Sequence, residues 1–159
     1  MDQEMSGNPD RWSECRRTIL LVEDEAFVRD VAAEVLLAAG YWVLAAANAM
    51  EAVKIYDLER GRIDLLFSDM RLPGETGSAL AKRLRRKHPG LRVLLATGYG
   101  ELMGAHPDGD ECLAKPFSSA QLLGRVQEIL GEATGIGSGV ASPHFAEGSS
   151  GGLGQSLCV

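Results

Sequence analysis

Residues 19–22 read Ile-Leu-Leu-Val, four apolar side chains in a row with no polar residue to mark an outer face. Alternate side chains of a strand point to opposite sides of a sheet, so such a run has to be covered on both faces. Similar runs occur at 41–46, 65–68 and 93–96, and a weaker one at 111–114 carries Glu111. The stretches between them have helical spacing. This alternation predicts an α/β fold, a parallel sheet with helices on both sides and the charged fifth run at an edge.

The helical stretches have recognisable starts and stops. Residues 26–39 place Val28, Val31, Val35 and Leu36 on one face and end at Gly40, which suits a left-handed cap. A second helix is expected over 49–58 after the N-cap Asn48, and a third over 77–87 ahead of Pro89 and Gly90. In the last, Ser118 and Gln121 form a capping box, Leu122, Leu123, Val126, Ile129 and Leu130 form the stripe, and Gly131 ends it. A short fourth helix is expected over 99–105, before Pro107, Asp108 and Gly109. Residues 1–17 read as a flexible leader broken by Gly7, Asn8 and Pro9. Residues 132–159, rich in Gly and Ser and nearly uncharged, read as a disordered tail.

Composition narrows the function. A chain of 159 residues has room for one ordinary domain, here 18–131, and 45% apolar residues suffice for its core. A net charge of −6 argues against binding nucleic acid through the overall field. The basic run Lys82, Arg83, Arg85, Arg86 and Lys87 is read as the solvated face of a helix whose other face carries Leu80 and Leu84. Cys15, Cys112 and Cys158 are too scattered for a disulfide framework or a metal cluster, and reduced thiols suit a cytoplasmic protein. No apolar stretch nears the roughly 18 residues that span a bilayer, and no signal peptide is evident.

In open parallel sheets functional groups gather beyond the carboxyl ends of the strands. Those positions hold Glu23 and Asp24, with Glu25 beside them, then Asp69, then Thr97, then Lys115 and Pro116. Crowded carboxylates repel unless a cation sits among them. A hard, oxygen-rich set suits Mg²⁺, which accepts one or two carboxylates together with phosphate oxygens. A metal beside a carboxylate, with a Lys and a Thr opposite, is the equipment of phosphoryl transfer, with one carboxylate as nucleophile. Each feature alone has a plainer explanation: a dipole-complementing helix start, a turn or a solvated loop. Their joint placement argues for function.

Val22-Glu23-Asp24-Glu25, Ser68-Asp69-Met70-Arg71-Leu72-Pro73-Gly74, Ala96-Thr97-Gly98-Tyr99 and Lys115-Pro116-Phe117 together resemble the signature set of two-component receiver domains. The resemblance covers about residues 18–131. It implies a doubly wound, flavodoxin-like sheet of five parallel strands in the order 2-1-3-4-5, with a shortened fourth helix. It further implies that Asp69 is the phosphoacceptor, that Asp24 binds Mg²⁺ directly and Glu23 through water, and that the backbone carbonyl of Arg71 is another ligand. Lys115 would pair with phosphoryl oxygens, Thr97 would turn inward to hydrogen-bond one, and the Lys115–Pro116 bond would be cis. The implied donor is a phosphohistidine on a sensor kinase or phosphotransfer protein, and such domains catalyse only their own phosphorylation and dephosphorylation.

Two features depart from the pattern. Many relatives carry a switch aromatic three residues before the Lys, where this chain has Cys112, read as a small buried hydrophobe. The stretch from Thr97 to Lys115 is short, which is similar to receivers attached to hybrid kinases and to some stand-alone ones. Tyr99 is then the expected reporter of phosphorylation, or else it caps the sheet or tunes the access of water to the phosphate. The alternative is a pseudo-receiver that uses the fold for protein contacts alone. A nucleotide-binding enzyme is disfavoured because Gly98, Gly100 and Gly104 miss the dinucleotide spacing. A DNA-binding output domain is not expected after Gly131, and none of His88, His106 and His144 suits a histidine phosphotransfer role.

Overall fold

The computed structural model describes residues 16–98 and 109–131. Five strands, β1 (Thr18–Val22), β2 (Trp42–Ala46), β3 (Leu65–Asp69), β4 (Arg92–Thr97) and β5 (Glu111–Ala114), form one parallel sheet in the order β2-β1-β3-β4-β5. The helices are α1 (Ala26–Ala38), α2 (Ala49–Glu59), α3 (Gly77–Lys87) and α4 (Ser119–Leu130). The reading of the sequence as a doubly wound sheet in this order is borne out, and β5 does lie at an edge. The short helix expected over 99–105 falls outside the described residues, as do Tyr99, residues 1–15 of the leader and the tail from 132.

The continuous apolar run explains itself in the packing. Leu20 and Val22 of β1 face one core with Leu66, Val93 and Leu95, covered by Ala52 and Tyr56 of α2 and by Leu80 and Leu84 of α3. Ile19 and Leu21 face the other with Leu65, Phe67 and Leu94, covered by Leu36 of α1 and by Leu122 and Val126 of α4. Residues 19–22 are at most 2% exposed, so both faces of the strand are dry. Adjacent residues of β1 serve separate cores, which is why the run could not alternate.

Caps fix the helix ends. The Asn48 side chain accepts from the Glu51 N–H, and Ser118 with Gln121 closes the capping box. Gly40 and Gly131 adopt positive φ of 97° and 68°, as expected of left-handed caps.

Several details differ from the sequence reading. Tyr41 lies outside β2, because its N–H donates to the Leu36 carbonyl and closes the end of α1. The inner face of α1 is Ala32 and Leu36, while Val31 is 44% exposed and Val28 and Val35 are half-buried. The helix therefore sits on the sheet through Ala32 and Leu36, with Val35 packed at the margin of that core and Val31 turned outward. Cys112 is half-buried against the α2–α3 core rather than enclosed. β3 and β4 each run one residue further at the carboxyl end than the apolar runs did, because the ladder continues through Asp69↔Ala96 and Thr97↔Ala114.

Candidate acidic site at the sheet rim

The crossing between β1 and β3 places the acidic residues. Val22 pairs with Ser68, so the residues just beyond, Glu23 and Asp24 on one strand and Asp69 on the other, emerge side by side. One carboxylate oxygen from each of Glu23, Asp24 and Asp69 lies within 4.8 Å of the others. Glu25, at the N-cap of α1, lies outside this cluster.

The turn into α1 is pinned at three points. The Glu23 N–H donates to the Ala46 carbonyl of β2 at 3.1 Å, and the Glu25 N–H donates to Glu23 Oε1 at 3.2 Å. Arg29 Nη1, reaching back from the first turn of α1, donates to the Glu23 carbonyl at 2.8 Å. Nothing in the sequence pointed to Arg29, since a basic residue on a helix reads as solvated until its partner is known.

Lys115 supplies the positive charge. Its Nζ lies 2.9 Å from Asp69 Oδ2 and 3.6 Å from Glu23 Oε2. The other Asp69 oxygen, Oδ1, accepts the Arg71 N–H at 3.2 Å. Lys115 arrives because its own N–H donates to the Thr97 carbonyl at 2.8 Å, at the end of the β4–β5 ladder. Its bond to Pro116 is cis. Phe117 then packs edge-on against Phe67, two residues before Asp69, with ring centroids 6.0 Å apart. The aromatic pair ties the lysine loop to the strand that carries the central carboxylate.

The electrostatics come from burial and neighbours. Burial raises the Glu23 carboxyl above its ordinary value, the Glu25 N–H and Lys115 work against this, and the Asp69 charge and the hydrogen bond that a protonated Glu23 donates to Asp24 add to it. Burial alone would lower the Lys115 ammonium, but its hydrogen bond to Asp69 and the charges of Glu23 and Asp69 outweigh that and raise it. Thr97 is fully buried, and its Oγ1 has no hydrogen-bond partner. A buried hydroxyl left unpaired costs stability. This one sits one residue past Ala96, which pairs with Asp69.

All of the site residues expected from the sequence that lie in the described regions come to one rim: Glu23, Asp24, Asp69, Arg71, Thr97 and Lys115. Three hard carboxylate donors around a single ammonium leave the cluster net negative, and that donor set fits a small divalent cation such as Mg²⁺. Beside the rim, between α1 and α4, runs an apolar groove of about 490 Å³, lined by Phe27, Val31 and Phe117 among others and bordered by Lys115. Phe27 is 80% exposed.

The comparisons agree on a single family. A sequence model described as the response regulator receiver domain matches residues 19–127. The chain is 37% identical over 117 residues to the sensor kinase CckA of Brucella abortus, a match covering 71% of this chain and 12% of that one. It is 35% identical over 120 residues to the phosphate regulon transcriptional regulatory protein PhoB of Pseudomonas aeruginosa, covering 72% of this chain and 52% of the regulator. The crystal structure of the receiver domain from the hybrid histidine kinase CckA superposes with a TM-score of 0.62 at 39% identity, covering 71% of this chain and 98% of that one. The chain thus spans about half or less of the curated relatives and nearly all of a solved receiver domain.

Proposed function

The chain belongs to the response regulator receiver domain family, and from that premise we propose that Asp69 takes a phosphoryl group from a phosphohistidine donor and later yields it to water. Receiver domains are signalling domains rather than classical enzymes. The observation that carries the assignment is the placement of Lys115 Nζ 2.9 Å from Asp69 Oδ2 within a cluster of three carboxylates.

In this reading a carboxylate oxygen of Asp69 forms the new bond to phosphorus. The nitrogen–phosphorus bond of the donor breaks, and the imidazole leaves with its electron pair. Lys115 neutralises charge on the phosphoryl oxygens, and the Thr97 hydroxyl donates to one of them, which would give that buried group the partner it lacks. Asp24, Asp69 and the Arg71 backbone carbonyl, with Glu23 through water, would hold Mg²⁺, which would add further charge neutralisation. Hydrolysis repeats the displacement with water as the nucleophile and restores the carboxylate.

The donor is a sensor histidine kinase or a histidine phosphotransfer protein, which has to reach Asp69 in order to react. The exposed groove beside Lys115 gives such a partner apolar surface to rest on. The functional unit is residues 18–131, acting in the cytoplasm through a downstream protein. Among the described residues no helix is long and apolar enough to cross a membrane.

The test uses acetyl phosphate and Mg²⁺ on the full chain. Wild type should take up acid-stable, base-labile phosphate, and Asp69→Asn should lose it while keeping its circular dichroism. Undiminished labelling of that variant would rule Asp69 out, and an unlabelled wild type would favour a pure interaction module.

A further inference from the structure

The turn from β3 to α3 closes on itself directly behind Asp69. The Gly77 N–H donates to the Met70 carbonyl at 2.8 Å, and Arg71 and Thr76 form an isolated antiparallel bridge. The Thr76 hydroxyl caps α3 by accepting from the Ala79 N–H at 3.1 Å. These bonds bring the first residue of α3 against the last two of β3.

A β-carbon on Gly77 would lie 2.3 Å from the Asp69 carbonyl oxygen and 2.9 Å from Ser68 Oγ. Ordinary close carbon–oxygen contacts sit at roughly 3.3–3.6 Å, so a methyl group here forces a displacement of about 1 Å. Backbone conformation is not the reason for glycine, because Gly77 is not among the residues with positive φ. The requirement is contact. Ser68 is fully buried on the same side, and its hydroxyl donates to the Asp69 carbonyl at 2.9 Å.

Neither wall can retreat freely. Asp69 pairs with Ala96, and the Met70 N–H donates to the Ala96 carbonyl at 2.9 Å. On the helix side Leu80, Ala81 and Leu84 are fully buried. With both sides held, the overlap strains the Asp69 peptide, the nearest neighbour, whose side chain pairs with Lys115.

We propose that Gly77, seated on Ser68, is a positioning residue for the phosphoacceptor: its bare α-carbon lets the first turn of α3 brace the Asp69 carbonyl and so sets the direction of the carboxylate. The proposal rests on the reading of Asp69 as acceptor. Nearly all the side-chain chemistry of the rim is left intact by a change at Gly77, so a loss there reports geometry.

The experiment compares wild type, Gly77→Ala, Ser68→Ala and Ala81→Gly, each as the full chain. Labelling rate is followed against acetyl phosphate concentration, Mg²⁺ affinity by calorimetry, and melting temperature by circular dichroism. Ala81→Gly loosens the same helix without touching Asp69 and controls for stability alone. Gly77→Ala should lower the maximal labelling rate by about 100-fold, the scale of a 1 Å misplacement, and weaken Mg²⁺ binding. Ala81→Gly, with its own loss of melting temperature, should label at the wild-type rate. Ser68→Ala removes one hydrogen bond and should lose about fivefold. A wild-type maximal rate in Gly77→Ala, or an equal loss in Ala81→Gly, overturns the proposal. Should Gly77→Ala fail to fold, Ser68→Ala decides, and a wild-type rate there overturns it as well. An unlabelled wild type is a different failure, that of the acceptor reading itself.

Discussion

Lys115 and Cys112 stand three residues apart and show how differently one short stretch treats two titratable groups. Lys115 is the ammonium between two carboxylates, and their attraction keeps it charged despite partial burial. Cys112 has burial as its largest influence, with the charges of Asp110 and Glu111 acting the same way and Arg125 opposing, so its thiol is raised above the ordinary 9.0. Its Sγ lies 3.7 Å from the Asp110 carbonyl. A raised thiol pKa favours the protonated form in the folded state. Any stability it contributes is present below the unfolded value and is lost as pH rises through the folded one. The thiolate is the reactive species. Near pH 8 Cys112 should therefore alkylate with iodoacetamide more slowly in the folded chain than in urea, and the gap should narrow as pH climbs past 9. Peptide-resolved mass spectrometry separates it from Cys15 and Cys158, and equal rates in both states would count against the burial.

Among the elements, α4 depends most visibly on its ends. Ser118 accepts from the Gln121 N–H at 3.1 Å, and the Ser118 N–H donates to Gln121 Oε1 at 2.8 Å. Leu122, Val126 and Leu130 bury one face against the α1 side of the sheet. Ser118→Ala should lower unfolding stability by about 1 kcal/mol. Urea denaturation should show a lower midpoint with an unchanged slope. A neutral result would mean that packing alone holds the helix start. α3, besides its Thr76 cap, carries ion pairs along its basic run. Arg83 meets Glu75 at 2.9 Å, Lys87 meets Asp57 at 2.5 Å, and Arg85 meets Asp110, whose side chain is 1% exposed. The basic run is thus only in part the solvated face expected of it. Lone exposed pairs contribute little, whereas breaking a buried one is costly.

At the scale of the whole molecule, the described residues form two cores, one on each face of the sheet, and the acidic cluster lies beyond the carboxyl ends of β1 and β3. Every residue proposed for the site in the described regions lies between 23 and 115, inside the family match of 19–127. A chain ending at residue 135 should therefore keep its melting temperature within about 2 °C, the scale of a few tenths of a kcal/mol, and should label at the wild-type rate. A large drop in either would assign the last residues a packing role on the domain.

The sequence by itself determined the fold class and the identity of the rim. A strand of Ile-Leu-Leu-Val has to be dry on both faces, and parallel strands deliver the residues at their carboxyl ends to one edge, so Glu23, Asp24, Asp69, Thr97 and Lys115 were legible as a group. The caps Asn48, Ser118 and Gly131 were legible too, because their chemistry is local. Tertiary structure decided what depends on distance across the chain. Arg29 found the Glu23 carbonyl, Phe117 found Phe67, Arg85 found Asp110, and Gly77 proved to be pressed on the Asp69 carbonyl rather than merely opening a helix. Which edge of α1 faces outward was settled in the same way, since Ala32 fits the sheet more closely than Val31. Periodicity and capping are written in neighbouring residues, but a contact is a property of two segments, and only their packing brings them together.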